Sequence, residues 1–179
     1  DLRRALSEDE IEVVFQPQVC IADGRIEGVE ALARWRHPEL GELGAEALFG
    51  AAERAELVAP LPELVQRKAL DMAAAWPAEL DSLRLSVNVT AVDLARPDFA
   101  ERMLERIGAS GCAPGRVTAE VTEEGLIEDL GAAAAALAEL RRAGCRVAVD
   151  DFGTGYSSLA YLKALPLDYL KLDRRLSQD

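Results

Sequence analysis

Apolar and polar positions follow two different periods along this chain, and the switches between them predict its elements. Val13-Val14-Phe15-Gln16-Pro17-Gln18-Val19 is rich in β-formers and stops at the turn Ala22-Asp23-Gly24-Arg25. Ile26 to Trp35 mixes apolar and polar residues and reads as a second strand. The 45–58 segment keeps helical spacing through Ala45, Leu48, Phe49, Ala52 and Leu57, and Leu61 to Trp76 does the same. Leu83-Arg84-Leu85-Ser86-Val87-Asn88-Val89 alternates with period two, as a strand does. Asp98 to Gly108 is helical, with Gly111 and Pro114-Gly115 as breakers. Val117 to Thr122 predicts a short strand, and Gly131 to Ala143 an Ala-rich helix stopped by Gly144. Cys145 to Val149 is an apolar strand, Gly153-Thr154-Gly155 a tight loop, Tyr156 to Ala164 a helix and Leu167 to Leu172 a last strand.

About six strands separated by helices of about ten to fifteen residues predict βαβ units and a mainly parallel sheet. A doubly wound sheet and an incomplete (β/α)8 barrel both satisfy that count. In either architecture chemistry collects at the carboxyl ends of strands. Glu30 lies in or near the second strand, Asn88 near the end of the Leu83–Val89 strand, and Glu120 late in the Val117–Thr122 strand. Asp150 and Asp151 directly follow Cys145–Val149, and Lys171 lies in the last strand. One strand-end Asp alone ordinarily caps a helix or holds a turn. Parallel strands bring their ends to one mouth, so the set together points to chemistry. Adjacent carboxylates such as Asp150 and Asp151 repel unless a cation or proton joins them. An all-oxygen donor set suits Mg2+, Mn2+ or Ca2+ better than zinc.

Composition narrows the partners. The chain has 179 residues, enough for one sizeable domain, and 50% of them are hydrophobic against 29% charged, a globular balance. Lys and Arg total 20 against 32 Asp and Glu, a net charge of −12. Nothing then offsets repulsion from a phosphate backbone, so a nucleic-acid polymer is excluded as partner. A small phosphate compound held through metal ions remains compatible. No apolar run approaches the roughly 18 residues of a membrane span. Asp1-Leu2-Arg3-Arg4 is no signal peptide and lacks an initiator Met, as in an excised domain. Cys20, Cys112 and Cys145 are odd in number and far apart, which reads as reduced thiols packed in a cytoplasmic core. The single histidine, His37, sits in a His-Pro turn and reads as structural.

The candidate residues stand in recognisable words. Phe15-Gln16-Pro17-Gln18-Val19, then Glu30-Ala31-Leu32 with Ala33-Arg34-Trp35-Arg36-His37-Pro38, resemble motifs of the EAL-domain cyclic di-GMP phosphodiesterases. Leu85-Ser86-Val87-Asn88-Val89-Thr90 and Glu120-Val121-Thr122-Glu123 continue the resemblance in the family's order. Asp150-Asp151-Phe152-Gly153-Thr154-Gly155-Tyr156-Ser157-Ser158-Leu159 is similar to its loop-6 segment, and Asp168-Tyr169-Leu170-Lys171-Leu172-Asp173-Arg174 closes the series. The resemblance implies a TIM-like (β/α)8 barrel whose first strand runs antiparallel to the rest. It implies hydrolysis of cyclic di-GMP to linear pGpG with two Mg2+ or Mn2+ ions. Glu30, Asn88, Glu120 and Asp150 would hold one ion, and Asp150 would bridge to a second that Asp151 also binds. Lys171 would orient the attacking water, Arg34 would contact a phosphate, and Gln16 would touch the ligand more weakly. Glu123 would brace the 151–158 loop, which in the family connects to dimer contacts. A homodimer, and a sensor or GGDEF domain attached in a full-length protein that is cytoplasmic or membrane-tethered, are implied in the same way. From the residues alone, Arg34 also reads as one side of a surface salt bridge, and Lys171 as part of an amphipathic strand edge.

The chain departs from the family in two respects. The A-E-G-V-E segment, whose glutamate completes the second metal site, and the Q-G-Y/F segment, whose glutamine contacts substrate, occur nowhere in it. Residues 1–179 are therefore expected to be an EAL domain truncated at its C-terminal end and inactive alone, lacking about two barrel strands. Glu124 stands where the family usually has Ser. Two alternatives stay open: a non-catalytic cyclic di-GMP receptor, and a metal-dependent barrel acting on another phosphodiester.

Overall fold

The computed structural model describes residues 1–122, 126, 129–152, 163 and 165–172, and divides between Val87 and Asn88 into two compact units. In the first, α1 (Leu2–Ser7) leads into β1 (Ile11–Val19), which pairs antiparallel with β2 (Ile26–His37). Gly24 turns the chain between them at φ +73°, a left-handed conformation that costs glycine nothing. β3 (Gly41–Leu43) folds back antiparallel on the end of β2. β4 (Arg84–Val89), where the division falls, pairs parallel with β2 through Gly28↔Arg84, Val29↔Leu85 and Glu30↔Ser86.

Two helices connect β3 to β4. α2 (Ala45–Arg54) buries Leu48 and Ala52, four positions apart, and α3 (Pro60–Ala74) starts on a proline whose missing N–H no helix start would use. Their apolar stripes meet Leu2, Ala5, Ile11, Ala33 and Trp35 in one buried cluster.

The second unit repeats strand and helix. After the turn α4 (Ala91–Leu94), α5 (Phe99–Ser110) buries Phe99, Ala100, Met103 and Ile107, one face at the spacing of a 3.6-residue helix. It stops at Gly111, whose φ of +82° ends the helix in the left-handed region. β5 (Val117–Thr122), α6 (Leu130–Arg142), β6 (Arg146–Phe152) and β7 (Tyr169–Leu172) follow. Asp129 caps α6, its side chain accepting the Ala132 N–H at 3.0 Å, and Arg141 and Arg142 sit in the last turn where the helix dipole favours cations. β5, β6 and β7 pair in parallel. Val117, Ala119, Val121, Val147 and Val149 are buried with Leu137 and Leu140 of α6.

Among the described residues, the predicted strands and helices are present with shifted ends. α1, β3 and α4 carry no periodic signal at six, three and four residues, and were not predicted. β6 runs three residues past its expected end, through Asp150 and Asp151 to Phe152. The expected loop 153–155 and most of the expected 156–164 helix lie outside the described residues.

Candidate metal centre

Strand register decides which side chains can meet. In β5 the side chains alternate, placing Thr118, Glu120 and Thr122 on one face. Glu120 lies opposite Ala148 of β6, and Thr122 opposite Asp150. Ala148 in turn lies opposite Tyr169 of β7, so Glu120, Ala148, Asp150, Tyr169 and Lys171 share a face.

Lys171 closes this arrangement. Its Nζ donates to Glu120 Oε2 at 2.7 Å and to Asp150 Oδ2 at 2.8 Å. Glu120 is two strands away, and the bond crosses Ala148, whose methyl group leaves the space open. The small size of Ala148 is a feature the sequence reading missed; only the register shows it.

Asp150 and Asp151 sit in a local irregularity. The β6–β7 pairing runs Val149↔Leu170 and then Phe152↔Leu172, so two residues of β6 face one of β7, as in a bulge. Asp151 takes φ +54°, a left-handed conformation that aspartate tolerates better than most residues. Its N–H donates back to Asp150 Oδ1 at 2.9 Å. The bulge thereby sends two consecutive carboxylates in different directions, with Asp150 half-buried and Asp151 exposed.

A neighbouring contact sets β7 in place. Asp168 Oδ1 accepts from Arg141 Nη2 at 3.0 Å, and Oδ2 accepts the Val147 N–H at 3.0 Å. The Asp168 N–H returns a bond to Val147 O at 2.8 Å. This clamp pins the start of β7 three residues before Lys171. It too was absent from the sequence reading, because Asp168 bonds residues far off in the chain.

The donor set fits a hard cation. Glu120 is 2% exposed, and carboxylate oxygens of Glu120 and Asp150 lie within 4.8 Å of each other. Two buried-to-half-buried carboxylates this close call for a proton or a positive charge between them; the Lys171 ammonium supplies such a charge, and a divalent ion would find oxygen ligands in the same carboxylates.

The remaining expected site residues are distributed as follows. In the first unit, Glu30 on β2 lies opposite both Gln16 of β1 and Ser86 of β4. Beside it, the Gln18 amide bonds Ser86 Oγ at 3.2 Å, passing over Gly28. A Cβ on Gly28 would come within 3.0 Å of Gln18 Oε1 and 2.9 Å of Arg84 O, so glycine is needed here for close approach. Arg34 donates to its neighbour Ala33 O at 2.8 Å and stands 3.9 Å from Glu42, a loose contact on a largely exposed partner. Asn88 shares a face of β4 with Ser86, two positions on. Glu123 lies outside the described residues, as does most of the 151–158 loop.

His37 is structural, as expected: its Nδ1 accepts the Glu39 and Leu40 N–H groups at 3.2 Å each, and its ring meets Trp35 edge-on at 4.9 Å. Cys112 and Cys145 are buried and Cys20 half-buried, all three free. Among the described residues, no helix is long and apolar enough to cross a membrane.

Comparison with known proteins supplies the family context. The sequence profile described as "EAL domain" matches residues 1–179. The chain is 39% identical over 180 residues to the cyclic di-GMP phosphodiesterase NbdA of Pseudomonas aeruginosa, covering 100% of this chain and 23% of that protein. Among solved structures, the PaMucR phosphodiesterase in complex with c-di-GMP superposes with a TM-score of 0.90 at 34% identity, over 100% of this chain and 74% of that one. The EAL enzyme Bd1971, bound to cAMP and cyclic di-GMP, gives 0.89 at 27% identity over 97% and 48%. The chain thus spans about a quarter of the length of the curated relative and carries part of a TIM-like α/β fold with an antiparallel first strand.

Proposed function

Because the chain belongs to the EAL domain family, we propose that it is the phosphodiesterase part of a longer protein, hydrolysing one phosphodiester bond of cyclic di-GMP to give linear pGpG. The observation that carries this reading is Lys171 bonded to Glu120 and Asp150 on one sheet face, an ammonium and two oxygen donors of the kind that metal-assisted hydrolysis uses. Glu30, Asn88, Glu120 and Asp150 would hold one Mg2+ or Mn2+ ion, with Asp150 shared to a second ion that Asp151 also binds. Such a pair supplies a water of lowered pKa and neutralises charge on the attacking and leaving oxygens.

The chain's own groups do the rest. Lys171 orients the attacking water through Nζ. The water oxygen bonds to phosphorus as the ester P–O bond breaks, and the leaving oxygen departs as a hydroxyl carrying the water's proton. Arg34 presents a planar donor fork to a phosphate, and Gln16 an amide to the ligand. Glu123 would brace the 151–158 loop. The homodimer and the attached sensor or GGDEF domain stand as proposals of the same reading.

The test is pGpG formation by the full-length protein with each cation. Mg2+ and Mn2+ should support turnover and Ca2+ should block it, since compact octahedral geometry suits the first two and Ca2+ prefers longer, looser contacts. Equal turnover in Ca2+ and Mg2+ would contradict this. Asp150→Ala should lower kcat by about a hundredfold or more, whereas Arg34→Ala should act mainly on KM. A larger kcat loss in Arg34→Ala would remove Asp150 from its shared position.

A further inference from the structure

We infer that the Lys171 ammonium is the internal counter-ion of Glu120 and Asp150, so that a divalent cation must displace it from these carboxylates to bind. The inference rests on the metal-dependent reading above and adds to it a role for Lys171 before any metal or substrate arrives.

The geometry leads there directly. Glu120 comes from a strand in which five of six residues are buried, and its own side chain is 1% exposed. A carboxylate so placed has lost its water and needs a compensating charge to remain ionised. Asp150 brings a second negative charge within 4.8 Å, which deepens the need. Lys171 answers both at once, at 2.7 Å and 2.8 Å, while its side chain stays 30% exposed and able to swing outward. The Asp168 clamp holds the base of β7, so the ammonium can leave without the strand moving.

A divalent ion on Glu120 and Asp150 would face this ammonium at close range, and like charges a few ångströms apart repel strongly where water is excluded. Binding therefore pushes the ammonium off the carboxylates. The displaced group is then available to a water molecule, which is the task proposed for it in hydrolysis. Lysine suits such an exchange: its charge is compact, its stem flexible, and it makes no bidentate lock on a carboxylate as arginine would.

The experiment uses Mn2+ alone, without cyclic dinucleotide, on the full-length protein. Amine acetylation followed by mass spectrometry reads the reactivity of Lys171 against the exposed Lys163 as internal standard. Mn2+ should raise the relative acetylation of Lys171 roughly fivefold or more, because the ammonium leaves its hydrogen bonds. In parallel, Lys171→Met should bind Mn2+ roughly tenfold more tightly than wild type, while melting at a lower temperature without metal. Should that variant fail to fold, the acetylation measurement on wild type decides. Mn2+ binding with unchanged Lys171 acetylation, or weaker Mn2+ binding by a folded Lys171→Met, overturns the counter-ion role and leaves the metal site standing. Absence of Mn2+ binding by wild type overturns both.

Discussion

Burial at single residues explains why acidic and thiol groups here behave differently from their surface counterparts. Glu120 lies in a nearly waterless position with Lys171 bonded to it at 2.7 Å; removing one partner of such a pair costs about 3–5 kcal/mol, since the other is left buried and uncompensated. Asp151 accepts a left-handed backbone so that Asp150 need not, and Asp150 keeps an extended strand conformation facing Lys171. Cys145 shows the opposite effect. Burial, reinforced by nearby Cys112, pushes its thiol from the ordinary 9.0 up to about 11. The folded state thus holds a proton that the unfolded chain releases near pH 9. Below that pH the contribution to stability is complete, and it is lost as pH climbs from about 9 through about 11. Two pKa units correspond to about 2–3 kcal/mol at most. Denaturant melts of wild type and Cys145→Ala across this window should show a steeper alkaline loss for wild type; parallel curves would contradict it.

Elements add what residues alone lack, a fixed register. Three parallel strands bring Glu120, Asp150 and Lys171 to one face, but only because Ala148 between them is small and Asp168 starts β7 in phase. Ala148→Leu should fill the space that the Lys171 side chain crosses and cost about 1–3 kcal/mol of overpacking. It should lower kcat at least about tenfold with little change in KM, since the altered contact lies with the water-orienting group. Ala148→Gly, which leaves that space open, should keep most of kcat. Full-length protein assayed for pGpG formation distinguishes them, and equal kcat in Ala148→Leu and wild type would show that the bond to Glu120 is dispensable.

The same elements show what was legible in the sequence. Leu83–Val89 and Val117–Thr122 announced themselves by composition and period, and the types of Glu120, Asp150 and Lys171 already pointed to metal chemistry. The bulge at Asp150 and Asp151 was not legible. Two carboxylates end an apolar run, and nothing local distinguishes a strand that stops there from one that bends and continues. The Asp168 clamp and the Gln18–Ser86 bond join residues 21 and 68 positions apart, a separation that no periodicity reports. α1 escaped because six residues hold too few turns to show a face.

At the scale of the whole molecule, a net charge of −12 and two strand edges that no described strand covers govern behaviour. The charge repels polyanions, so the proposed ligand with two phosphates would need divalent cations as mediators. The edges act the other way. Among the described residues β1 pairs only with β2, and β7 only with β6, leaving one row of backbone donors and acceptors on each without a strand. Exposed apolar side chains accompany both: Val14 on β1, and Tyr169, Leu170 and Leu172 on β7. Exposed apolar side chains along an uncovered edge favour pairing with another chain, although Glu12 and Pro17 on β1 and Lys171 on β7 oppose it. Residues 1–179 produced alone should therefore self-associate, with an apparent mass that rises with concentration in sedimentation velocity. Lysine at an outward edge position, as in Leu172→Lys, should reduce that association, because natural edges use the same charge to refuse a partner. The proposal that this fragment is inactive would be met in the same preparation by a lack of pGpG. A concentration-independent monomer that hydrolyses cyclic di-GMP at the rate of the full-length protein would show that both edges are harmless and that no further segment is needed.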